Sequence, residues 1–180
     1  IPVADASFSI SVPVGTKIMY LASQEPTITR VEEKDLYVWT YSDIPPIKQE
    51  AMMPPVMELV PYVRASPEEF SWGKTKGSQK SWEDLGAWNA SLFPADNVPA
   101  DVRNRIAALT DGCKDDVSKV RKVYEYLRDN TRYVSIQLGI GGYAPASPES
   151  VCKTGYGDCK ALSYFMHTLL KEIGIDSHYV

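Results

Sequence analysis

The sequence predicts an α+β protein, with an antiparallel, β-sandwich-like portion first and a helical portion after it. Three observations lead there. Before residue 66, short segments alternate apolar and polar side chains between turn-forming residues, as strands with one buried face do. Pro45, Pro46, Pro54, Pro55 and Pro61 then exclude central strands from the stretch they occupy. From residue 98 onward, apolar residues recur three and four apart, the spacing of helix faces. The chain accordingly reads as a β-rich portion at 1–66, a connecting segment with one helix at 67–97, and a largely helical portion at 98–180.

Phe8-Ser9-Ile10-Ser11-Val12 is the clearest strand, and residues 17–21, 27–31 and 36–41 follow the same alternation. Between them lie Pro13-Val14-Gly15, Gln24-Glu25-Pro26 and Glu33-Lys34-Asp35, all suited to turns. The proline-rich stretch reads as a rigid, extended linker. Residues 73–78, with Lys74 and Lys76 between glycines, read as a flexible basic loop. Ser81-Trp82-Glu83-Asp84 resembles a capping box, and Trp82, Leu85, Trp88 and Leu92 then follow helical spacing. Tryptophans so spaced serve as core or interface anchors more often than as sugar-stacking platforms.

Pro99 fits the first turn of a helix that carries Val102, Ile106 and Leu109 on one face and ends at Asp111-Gly112. A second helix is expected over 115–130, with Val117, Val120, Val123, Tyr124 and Leu127 inward and Asp115 and Asp116 complementing its dipole. Tyr133-Val134-Ser135-Ile136 reads as a short strand. Residues 138–143 form a glycine-rich turn without the spacing or lysine of a nucleotide loop. Pro148 opens a helical turn. A last helix then runs to near Gly174 with Leu162, Phe165, Met166, Leu169 and Ile173 inward, and residues 177–180 begin a strand.

The turn that opens this last helix is the chemically richest stretch. Gly155, Tyr156 and Gly157 supply a tight turn, and Asp158 stands where an N-cap belongs. Cys159 is thereby placed at the first helical position, where unpaired N–H groups and the macrodipole favour negative charge. A thiolate is favoured there, with Lys160 adjacent. The same place, at the margin of the apolar stripe beside Met166 and Leu170, also suits a small buried core residue.

With 19 Lys and Arg against 23 Asp and Glu, the chain carries a net charge of -4, which argues against nucleic acid as a partner. No apolar run approaches the ~20 residues of a membrane span. Cys113, Cys152 and Cys159 leave at least one thiol unpaired, and a Cys113–Cys152 bridge or a resolving Cys152–Cys159 disulfide is open on sequence alone. The cysteine spacing matches no usual zinc site, and no EF-hand-type loop occurs, so neither a metal nor another cofactor is expected.

Tyr133-Val134-Ser135-Ile136-Gln137-Leu138-Gly139-Ile140-Gly141-Gly142-Tyr143, followed by Pro148 and then by Gly155 through Lys160, resembles the transglutaminase-like superfamily. In particular it is similar to bacterial exported proteins in which such a domain follows a β-rich domain of unknown function, and the match covers roughly residues 130–180. The resemblance implies a papain-like fold of which 98–180 is the helical first half. It also implies that Cys159 is the nucleophile of a Cys-His-Asp triad, that the substrate is a peptide or protein, and that the protein is exported. An acyl-transferring cysteine also needs oxyanion donors. The Cys159 N–H is one candidate and the Gln137 side-chain amide a second, although a glutamine is more often an exposed or capping residue.

The two histidines do not complete such a triad. His167 is eight residues from Cys159 on the same helix, a rise of ~12 Å, and it shares a polar, solvated face with Ser163 and Lys171. His178 follows the helix immediately, whereas the family's histidine and aspartate stand on later strands. The chain therefore reads as the first part of a cysteine-dependent acyl-transferase or peptidase, inactive alone. The alternative is a binding or scaffold module that retains the fold without the chemistry.

Overall fold

The computed structural model describes residues 1–180, which divide into two compact units: Ile1–Ser71 with Lys76–Ser81, and Trp72–Thr75 with Trp82–Val180. The protein is α+β, as its sequence predicts.

The first unit is built from antiparallel strands. Strands β1 (Val3–Pro13), β3 (Thr27–Val31) and β4 (Lys34–Ile44) form one sheet in the order β1-β4-β3, and β2 (Ile18–Ala22) pairs with β5 (Val63–Pro67) in another. The four expected strands are all present, and the two longest extend beyond the alternating segments because β1 and β4 pair in register from Val3↔Ile44 to Pro13↔Lys34. Glu32, at a φ of 56°, makes the tight β3–β4 turn. Fully buried Trp39 is the centre of this unit, with its cross-strand partner Phe8 at 5.9 Å and Tyr20 of β2 edge-on at 5.6 Å. A single helical turn, α1 (Val56–Leu59), interrupts the proline-rich stretch.

Strands β6 (Glu69–Trp72) and β7 (Thr75–Ser78) form a hairpin around Gly73, whose φ is 61°. The expected flexible basic loop, residues 73–78, is thus strand from Thr75 onward. Ladder pairing to β6 satisfies its backbone, which composition alone does not reveal.

The second unit is helical: α2 (Trp82–Ser91), α3 (Ala100–Thr110), α4 (Asp116–Asn130), α5 (Pro148–Thr154) and α6 (Cys159–Glu172). Local chemistry sets the boundaries. Asp115 Oδ1 accepts from the Ser118 N–H at 2.7 Å, Ser147 Oγ accepts from the Ser150 N–H at 3.2 Å, and Pro99 and Pro148 lie at helix starts. Val102 and Ile106 of α3, Val123 of α4, Val151 of α5 and Phe165 and Leu169 of α6 form one core. Helix α6 runs through its middle and also buries Ala161, Tyr164, Thr168 and Leu170. The Thr168 hydroxyl remains satisfied there by donating to the Tyr164 carbonyl at 2.8 Å.

Several expectations are corrected. Val117 and Tyr124 are exposed, because the neighbours of α4 cover only the stripe through Val120, Val123 and Leu127. Trp82 is exposed while Trp88 is buried. The strand expected over 133–136 is reduced to β8 (Arg132–Tyr133), and the glycine-rich turn closes as a 3-10 helix at Gly139–Gly142. Residues 177–180 are not a strand, since no neighbouring backbone pairs with them.

Candidate functional site

The cysteine turn is held from both sides. Gly155 takes the left-handed conformation (φ 67°) that ends α5, with its N–H donating to the Val151 carbonyl at 2.8 Å. Strand β9 (Tyr156–Gly157) then pairs in parallel with β8, so that Arg132 N–H donates to Gly155 O at 3.0 Å and Val134 N–H to Gly157 O at 2.9 Å. Gly157 is required for closeness rather than for φ: a Cβ there would lie 2.9 Å from the Ala161 Cβ and 3.3 Å from Leu162 Cδ2. This contact seats the turn directly on the first turn of α6.

Asp158 is the N-cap of α6. Its buried carboxylate accepts from the Ala161 N–H at 2.9 Å through Oδ1 and takes the Lys160 ammonium on Oδ2. Cys159 follows at the first helical position and is exposed. The alternative of a sealed core cysteine is thereby removed. Lys160, adjacent in sequence, has its ammonium committed to Asp158.

All three cysteines are free thiols, so neither the Cys113–Cys152 nor the Cys152–Cys159 bridge is formed. Burial, with Asp101 nearby, pushes the Cys152 thiol up to about 11. Gln137 is exposed in the segment between β8 and the 3-10 helix. His167 is not the solvated residue expected: it is partly buried, its Nδ1 is 2.8 Å from Ser177 Oγ, and its ring stacks near Tyr164 at 6.2 Å. The segment after α6 folds back to supply Ser177. His178 is exposed and lines the same shallow groove, together with Tyr124, Leu162 and Met166.

One aromatic residue near the cysteine turn carried no local signal in the sequence. Tyr179 packs edge-on against Phe93 at 4.8 Å and Tyr164 at 6.4 Å. Its phenol is pushed up from its ordinary value mainly by burial, opposed by Lys160 and assisted by Cys159 and Asp158, which places it within electrostatic reach of the cysteine turn. No periodicity singles out a tyrosine in the last residues, and only the fold brings it to the site.

Chemically, the arrangement offers an accessible sulfur at the positive end of a buried helix, beside the unpaired N–H groups of the first turn. No helix is long and apolar enough to cross a membrane.

Comparison with known proteins places this geometry. The family model of the transglutaminase-like superfamily matches residues 103–180. Among solved structures, a crystal structure described as a "putative protease" from Parabacteroides distasonis superposes with a TM-score of 0.67 at 20% identity, over 96% of this chain and 32% of that one. The chain thus spans about a third of that protein's length, and the likeness is one of fold. No curated protein matches the chain. The sequence resemblance holds over a longer stretch than the motifs themselves: residues 103–180, from α3 through the cysteine turn and α6, match the transglutaminase-like superfamily.

Proposed function

We propose that this chain is part of a cysteine-dependent acyl-transferase or peptidase acting on amide bonds of peptides or proteins. One observation carries the proposal: Cys159 is exposed at the first position of a buried, Asp158-capped helix in a transglutaminase-like region. The Cys159 thiolate attacks the amide carbon, and the oxyanion is received by N–H groups of the helix terminus, with the Gln137 amide as a second donor. The C–N bond then breaks, the amine leaves with a proton from an imidazolium, and a thioester remains. Water or a second amine takes the acyl group and returns the thiol.

In this proposal the imidazole comes from residues other than His167 and His178, since His167 is eight residues along α6, a rise of ~12 Å, and engaged with Ser177, and His178 precedes the later strands that carry the family's histidine. Export belongs to the same proposal and rests on the family resemblance. The test is turnover of peptide amides by the full-length protein with and without Cys159→Ala, for which a loss of about 10³-fold or more is expected. A variant that retains turnover removes the nucleophile assignment. The 180-residue chain alone is expected to be inactive, and Cys159-dependent hydrolysis by it would overturn the external base.

A further inference from the structure

The charged side chains on either side of Cys159 satisfy one another. Asp158 and Lys160 are only 6% and 14% exposed and are bound to each other, so neither offers a free charge to a ligand. On one flank, the Val134–Gly157 hydrogen bond ties the cysteine turn to a loop that displays Tyr133, Ile136, Leu138 and Ile140 to solvent. Leu138 is 85% exposed and Tyr133 59%.

This loop is anchored rather than loose. At its end, Tyr143 stands edge-on to Trp72 at 5.2 Å and to buried Trp88 at 5.4 Å. Within it, Gly141 N–H donates to Leu138 O at 3.0 Å and Ala144 N–H to Ile140 O at 2.8 Å. Apolar side chains held outward on an anchored loop, tied through Gly157 to the cysteine turn, suit a binding wall. Strand β8 pairs on one side only, which leaves the Tyr133 N–H and C=O directed to an open edge where an extended backbone can pair.

We propose that the site selects peptides bearing a large aliphatic or aromatic side chain next to the reacting amide, received by the wall of Tyr133, Ile136, Leu138 and Ile140. The proposal rests on the acyl-transfer function above and names its substrate class. A free charge next to the amide finds no partner on this wall and loses its hydration, so acidic and basic peptides are disfavoured.

The experiment uses the 180-residue chain and N-chloroacetyl peptides of equal length, with Phe, Leu, Asp or Lys next to the reactive group. The rate of adduct formation at Cys159 is followed by mass mapping, with iodoacetamide as the probe without a side chain. The Phe and Leu probes are expected to label Cys159 about tenfold faster than the Asp and Lys probes. Ile136→Ser with Leu138→Ser is expected to bring that ratio toward one, with an unchanged iodoacetamide rate and circular dichroism spectrum. Equal rates for all four peptides, with iodoacetamide still fastest at Cys159, overturn the substrate class and leave the nucleophile standing. Iodoacetamide labelling of Cys159 no faster than of Cys113 overturns the nucleophile, and the proposal with it. A preference that survives the two serine substitutions overturns the assignment to the loop.

Discussion

Lys160 reaches back past Cys159 to place its ammonium on the Asp158 carboxylate, whose other oxygen caps helix α6 at the Ala161 N–H. Cys159 is therefore flanked by an acid and a base that neutralise each other. The helix terminus, rather than a neighbouring side-chain charge, is left to act on the sulfur.

Asp158→Ala removes the cap and leaves a poorly solvated ammonium without its partner. A loss of about 2–4 kcal/mol is expected in denaturant unfolding of the second unit. Asp158→Asn, which keeps an acceptor for the Ala161 N–H, is expected to lose less. Equal losses for the two variants would show that the ion pair, not the cap, dominates.

Gly157→Ala forces a Cβ to within 2.9 Å of the Ala161 Cβ. Overpacking of this kind costs about 1–3 kcal/mol. Adding Ala161→Gly removes the obstructing methyl, and part of the loss is expected to return despite the glycine inside a helix. A double variant no more stable than Gly157→Ala would place the strain elsewhere.

Iodoacetamide is expected to modify Cys159 before Cys113 and Cys152 near neutral pH, as followed by peptide mass mapping. Cys159 is exposed at a helix N-terminus, whereas the Cys152 thiol is pushed up to about 11 by burial. Equal rates at all three would count against an activated sulfur.

The same shift carries a pH dependence of stability. Folding keeps the proton on Cys152 to about pH 11, against an ordinary thiol value of 9.0. The folded pKa is the higher one, so the contribution is present below pH 9.0 and is lost as pH rises toward 11. Stability measured between those pH values is expected to fall less steeply in Cys152→Ala than in the parent chain. Parallel curves would remove Cys152 as the cause.

Core truncations should separate the two faces of α4. Val123 is fully buried, and Val123→Ala is expected to destabilise by about 1–3 kcal/mol. Val117 is exposed, and Val117→Ala is expected to stay within about 0.5 kcal/mol.

Much of the fold was readable because it is set by neighbours in the chain. Pro99, Asp115, Pro148, Gly155 and Asp158 act on backbone groups within four residues of themselves, so helix starts and the cysteine turn follow from local chemistry. The position of Cys159 at the start of α6 was determined in this way. Its exposure was not, because a residue at the edge of an apolar stripe is covered or open according to which element packs beside it. The same reason explains Val117 and Tyr124, which fit the periodicity of a buried face that no neighbour reaches. The His167–Ser177 contact and the packing of Phe93 against Tyr179 join residues whose meeting depends on chain reversals. Periodicity records which side of an element is apolar. Only the tertiary structure decides what stands opposite it, because packing selects among several faces that one sequence pattern allows.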